Sequence, residues 1–91
     1  MFKRGGWLRN KIKSDEGFTV EVGGNTLVYL EGNRRMTVTI ITEPSGYTVA
    51  EETIGRWDDD LQHRIPEEER RRIARNIQLA LESQGYNVAI F

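Results

Sequence analysis

The chain has 91 residues, with 13 Lys and Arg against 14 Asp and Glu and no cysteine. That length holds one compact core without room for a catalytic domain beside a regulatory one, and a net charge of -1 sets up no overall field toward nucleic acid or an anionic membrane. The lack of thiols excludes disulfides, thiolate chemistry and cysteine-ligated zinc, and no apolar run reaches the roughly 18 residues of a membrane span.

Charge is uneven along the chain. Lys3, Arg4, Arg9, Lys11 and Lys13 make the start basic, whereas Glu51, Glu52, Asp58, Asp59, Asp60, Glu67, Glu68 and Glu69 make the middle acidic. The basic start is not followed by an apolar stretch of signal-peptide length, so cytoplasmic residence is the default expectation. Residues 1–16 are expected as a basic amino-terminal arm outside the domain. Trp7, Leu8 and Ile12 offer it a short amphipathic turn, while Gly5, Gly6 and the crowded charges favour a mobile segment. A single domain is expected over residues 17–91.

From Phe18 the pattern has the two-residue period of a strand: Phe18, Val20 and Val22 alternate with Thr19 and Glu21. Gly23 and Gly24 suit a two-residue hairpin turn, which would set Val20 opposite Leu27 and Phe18 opposite Tyr29. A second hairpin about Gly32 and Asn33 sets Glu31 opposite Arg34, Tyr29 opposite Met36 and Leu27 opposite Val38. The third strand, about residues 35–42, continues the apolar face with Met36, Val38 and Ile40. EPSG at 43–46 reads as a turn, and Tyr47 and Val49 begin a fourth strand.

A polar connection runs to Ile65, and a helix follows. Pro66 suits its first turn, Glu67, Glu68 and Glu69 oppose the positive end of its dipole, and Ile73, Ile77, Ala80 and Leu81 form its apolar stripe. Gly85 is the expected terminator, and YNVAIF at 86–91 is apolar enough for a last strand. The expected fold class is α+β: an antiparallel β-meander of four strands, one long α-helix packed on one face, and a C-terminal strand rejoining the sheet.

The chemistry concentrates in RWDDDLQHRIPEEERRR, residues 56–72. Three adjacent aspartates suit hard cations, and His63 could add a nitrogen, but neighbouring residues on an extended segment point alternately and do not converge on one ion. The stretch reads as a solvated loop and no metal or cofactor is expected. His63 beside an aspartate could serve as a general base; a lone loop histidine among charges is the plainer reading, and no enzyme is expected. Arg70, Arg71 and Arg72 can each pair with a preceding glutamate at helical spacing. Trp57 is either an anchor that holds the connection against the core or an exposed interface residue. Glu51, Glu52, Trp57, Asp58, Asp59 and Asp60 are the candidate partner-binding residues.

Aromatic residues on strands raise an alternative, a small nucleic-acid-binding or regulatory protein that uses the basic arm, with Phe18, Tyr29 and Tyr47 stacking bases. The predicted register puts those three rings on the face that the helix covers, which makes a nucleic-acid partner the weaker expectation.

The order of Trp57, Ile65, Ile73, Asn76, Ile77, Leu81 and Gly85, ending in RRIARNIQLALESQGYNVAIF, together with the hairpin YLEGNRRMTVTII, resembles the immunity protein 74 family of bacterial polymorphic toxin systems over about residues 18–91. Pro66 departs from that family's pattern, which has a Ser or Thr cap after the isoleucine. The resemblance implies a protein without chemistry of its own that binds and neutralises a cognate toxin. It carries no binding residues across.

Overall fold

The computed structural model describes residues 11–91 and, as backbone alone, residues 2–4. In chain order the elements are β1 (Phe2–Arg4), β2 (Lys11–Ser14), β3 (Phe18–Gly23), β4 (Thr26–Glu31), β5 (Arg34–Glu43), β6 (Gly46–Val49), a 3-10 turn over Glu51–Thr53, α1 (Glu67–Glu82) and β7 (Asn87–Ile90). The seven strands form one sheet in sequence order. Every pair from β1 to β6 is antiparallel, and β7 returns parallel to β6. A parallel return needs a long crossover, and α1 supplies it. Because α1 touches β7 at one edge and β2 near the other, the sheet curls around the helix as a half-barrel.

The α+β class and the α1 span agree with the sequence reading, but the strand count does not. Strands β1 and β2 fall inside the segment expected as an arm. Ile12 is buried opposite Val20 and belongs to the core. KIKS contains one apolar residue among charges, the composition that natural sheets place near an edge to discourage stray pairing, so its periodicity is too short to read. The expectations placed on Gly5, Gly6, Trp7, Leu8 and Arg9 lie outside the described residues.

The second hairpin has the predicted register, with Glu31, Tyr29 and Leu27 opposite Arg34, Met36 and Val38, and Gly32 supplies its positive φ of 61°. The first hairpin corrects the prediction by two residues: Val20 pairs with Tyr29 and Val22 with Leu27. The turn is Gly24–Asn25, because only Gly24 takes a positive φ (62°) while Gly23 stays in the strand opposite Thr26. Long-range bonds hold this turn in place, from Ile40 N–H to the Asn25 carbonyl and from Thr42 Oγ1 to the Gly24 carbonyl. A shift of two preserves side-chain parity, so the apolar set still faces the helix.

On that inner face Val20, Leu27, Tyr29, Met36, Val38 and Ile40 meet Ile73, Ile77, Ala80 and Leu81 of α1, and all are buried. Pro66 sits one position outside the helix, extended (ψ 154°) and without a side-chain cap, and its carbonyl accepts the Arg70 N–H. At the other end Gly85 (φ 89°) lets Tyr86 N–H reach back to the Leu81 carbonyl, which stops the helix and aims the chain into β7.

Candidate partner-binding surface

Strand β5 has ten residues, but its first half pairs with β4 and its second half with β6. The flank of residues 34–39 that faces away from β4 would therefore present a row of unpaired backbone groups, a costly arrangement and a template for stray pairing. The acidic connection fills that row. Ala50 N–H donates to the Thr39 carbonyl, Thr53 Oγ1 accepts the Thr39 N–H at 2.9 Å, and Asp58 N–H donates to the Arg35 carbonyl at 2.7 Å. The Asp58 carboxylate completes the series by accepting the Thr37 N–H at 3.3 Å and the Thr37 hydroxyl at 3.1 Å. Backbone and side chains of residues 50–58 thus stand in for a missing strand.

Trp57 is an anchor. Its side chain is buried against Tyr29 with ring centroids 6.2 Å apart, and the Arg34 guanidinium lies 4.9 Å above the indole centroid. Fully buried Ile54 pins the same segment three residues earlier, next to Gly55, whose carbonyl accepts the Ile65 N–H at 2.7 Å. Two apolar pegs and a row of edge bonds leave the segment little freedom, so whatever it presents to solvent is held in a fixed arrangement.

The candidate residues divide accordingly. Asp58 faces the sheet edge, with Arg35 Nε 3.6 Å away. Asp59 accepts from Arg34 at 3.1 Å and Asp60 from His63 Nδ1 at 2.8 Å, both at the surface. Glu51 lies 3.8 Å from Arg70, whose Nε is buried without a hydrogen bond, and its N–H is held by the Phe91 carbonyl. Glu52 is exposed. Glu52, Asp59 and Asp60 reach solvent on this segment, Asp59 paired with Arg34 and Asp60 with His63, and Trp57 and Asp58 tie the segment to the core and to the β5 edge. The described residues contain no cluster of three or more potential metal ligands, and the His63–Asp60 pair stands in open solvent.

The arginine triplet does more than neutralise its own helix. Arg71 pairs with Glu67 at 2.7 Å as the spacing predicts, and Arg72 reaches Glu69. Arg72 also grips Glu31 on the sheet with two bonds of 2.8 and 2.9 Å, while Tyr29 Oη donates to the same carboxylate at 3.2 Å and accepts from Asn76 Nδ2 at 2.9 Å. This network locks the helix to β4. The Arg72 bonds draw the Glu31 carboxyl below its usual range, and burial pushes the Tyr29 phenol up to about 12. Arg34, Thr37, Thr53 and Glu31 were not legible as site residues, since each partner lies 14 to 41 residues away and no local motif joins them. The one available signal was the pairing of a lone Trp with an adjacent Asp in a connection that has to pass an uncovered strand.

Comparison with protein-family models, with curated proteins and with solved structures gives no match. The reading of this surface therefore rests on its own geometry.

Proposed function

We propose that the chain is a non-catalytic protein-binding module, an immunity protein that captures a cognate bacterial toxin. The observation that carries the proposal is the acidic connection: its outward carboxylates at Glu52, Asp59 and Asp60 stand on a segment fixed by Trp57 and Ile54 and by the β5 edge. A pre-ordered acidic surface loses little entropy on docking and steers a basic partner to it. Toxins that act on nucleic acid need basic clefts, which such a surface complements. The resemblance of residues 18–91 to the immunity protein 74 family implies the same reading. Base stacking is the weaker alternative, because Phe18 and Tyr29 are buried and Tyr47 packs edge-on against Tyr86 at 5.0 Å.

The test is bacterial growth with the carboxy-terminal domain encoded immediately upstream expressed alone and then together with this protein. Relief of toxicity with a co-purifying complex is the expected result; toxicity that persists on co-expression removes the immunity reading. The surface itself is tested by the charge reversals Glu52→Lys and Asp59→Lys with Asp58 left intact. An association rate and salt dependence that both stay at the wild-type values would separate the binding site from the acidic connection.

A further inference from the structure

The sheet has three places where backbone groups could meet another chain, and it treats them differently. The β5 flank is covered by the acidic connection. The β1 edge carries Lys3 and Arg4 in its three residues, a charged composition that discourages pairing. Strand β7 has neither protection: Asn87–Ile90 and Phe91 contain no charged side chain and no proline, and among the described residues nothing pairs with its outer side. Asn87 and Phe91 donate their N–H groups to β6 carbonyls or to the turn before it. By strand alternation Ala89 does the same, which turns the N–H and C=O of Val88 and Ile90 outward.

We infer that this edge is a self-association surface whose occupant is β7 of a second copy, paired antiparallel about a two-fold axis at Ala89. The spacing of the outward groups selects the register. Val88 pairs with the partner's Ile90 and Ile90 with the partner's Val88, each exchanging both backbone bonds, so all four outward donors of the two strands find acceptors. Ala89 then meets its own counterpart in the close, non-bonded type of pair, with Cα atoms about 4.5 Å apart, and its side chain is small enough to fit there.

The outer face agrees with this register. Ile41, Thr48 and Ala89 form one cross-strand row, and Ile41 and Phe91 are 54% and 81% exposed. Pairing would continue that row through the axis and lay each Phe91 over the partner's β7. Self-pairing brings no like charges together here, whereas β1 paired with itself would oppose cations. Because the same edge is used by both copies, assembly closes at two. A ladder this short with one phenylalanine per side buries less than the roughly 1,200 Å² of a stable interface, so a weak dimer that forms only at high protein concentration is expected.

Amide hydrogen exchange on the unaltered protein tests the proposal directly. Between low micromolar and near-millimolar concentration, exchange at Val88 and Ile90 should slow while Asn87, Ala89 and Phe91, already bonded to β6 or its turn, stay unchanged. Exchange at Val88 and Ile90 that ignores concentration overturns the proposal. Sedimentation equilibrium gives the second arm: Ala89→Lys and Ala89→Glu should each be monomeric, and an equimolar mixture should recover a heterodimer through opposite charges on the axis. Dimers that persist in either variant alone, a mixture that stays monomeric, or wild-type species larger than two would each place the contact elsewhere.

Discussion

Removing one oxygen from the core should make the protein weaker at neutral pH and stronger in alkali. The Tyr29 side chain is fully buried, and its hydroxyl joins Asn76 on the helix to Glu31 on the sheet. Tyr29→Phe deletes both bonds while Glu31 keeps its two bonds from Arg72, so a loss of about 1 kcal/mol is expected at pH 7. Burial lifts the phenol from 10.0 to about 12 in the folded state. Below pH 10 both states hold the proton and the wild-type advantage is constant. Above it the unfolded phenol ionises first, so stability falls until the folded phenol also ionises near pH 12. Two pH units correspond to about 2.7 kcal/mol lost by the wild type and not by the variant. The two stabilities should cross between about pH 10 and 11, with the variant ahead by roughly 1–2 kcal/mol at pH 12. Urea unfolding of both proteins from pH 7 to 12 measures this, since every other group is common to the two and cancels in the difference. A difference that stays constant across that range would refute the coupling of burial to the phenol.

Other substitutions probe the remaining supports. A Cβ at position 46 would lie 1.8 Å from the Asn87 carbonyl oxygen, so Gly46→Ala must part β6 from β7 and should cost more than the roughly 1–3 kcal/mol of an ordinary overpacked site, read by thermal or urea unfolding. Trp57→Ala opens the core beneath the acidic connection and should cost about 3–5 kcal/mol in urea unfolding; a loss below about 1 kcal/mol would make the indole a surface group. Glu31→Gln should lose stability at neutral pH and flatten the acid limb, because the depressed folded pKa of Glu31 contributes stability above its unfolded value that disappears as pH falls through the folded one. Unfolding curves between pH 2 and 7 decide that point.

Residues whose partners are near in sequence were the legible ones. The Gly32–Asn33 turn, the parity of Met36, Val38 and Ile40, and the α1 stripe follow from local periodicity. The first hairpin slipped because adjacent glycines admit two turns, and the bonds that choose between them come from Ile40 and Thr42 on another strand. Strand β2 was hidden for a different reason: a strand near an edge needs little apolar sequence, and Ile12 alone supplies it. In the acidic connection composition marks the place, and of the two roles open to Trp57 its burial selects the anchor. Trp57 is buried in the core, while Asp58 is bonded to Thr37 at the β5 edge and stays partly open to solvent. The arginine triplet was also read one layer too shallow, since its local pairs exist while Arg72 also crosses to Glu31.

The connection earns its acidity twice, once as a substitute strand and once as a surface, and the two uses can be pulled apart by exchange at single amides. Thr37 N–H is held by the Asp58 carboxylate and Thr39 N–H by the Thr53 hydroxyl. Asp58→Ala should speed exchange at Thr37 and leave Thr39 protected, and Thr53→Val should do the reverse, because each variant removes one acceptor and keeps Ile54 and Trp57 seated. Asp58→Asn separates shape from charge: its amide oxygen can still accept the Thr37 N–H, so protection should largely remain while the attraction to Arg35 disappears. Were Thr37 to exchange as fast in Asp58→Asn as in Asp58→Ala, the charge and not the hydrogen-bond geometry would be holding the connection to the sheet. Were neither variant to alter exchange at Thr37, the edge would be closed by Trp57 packing alone.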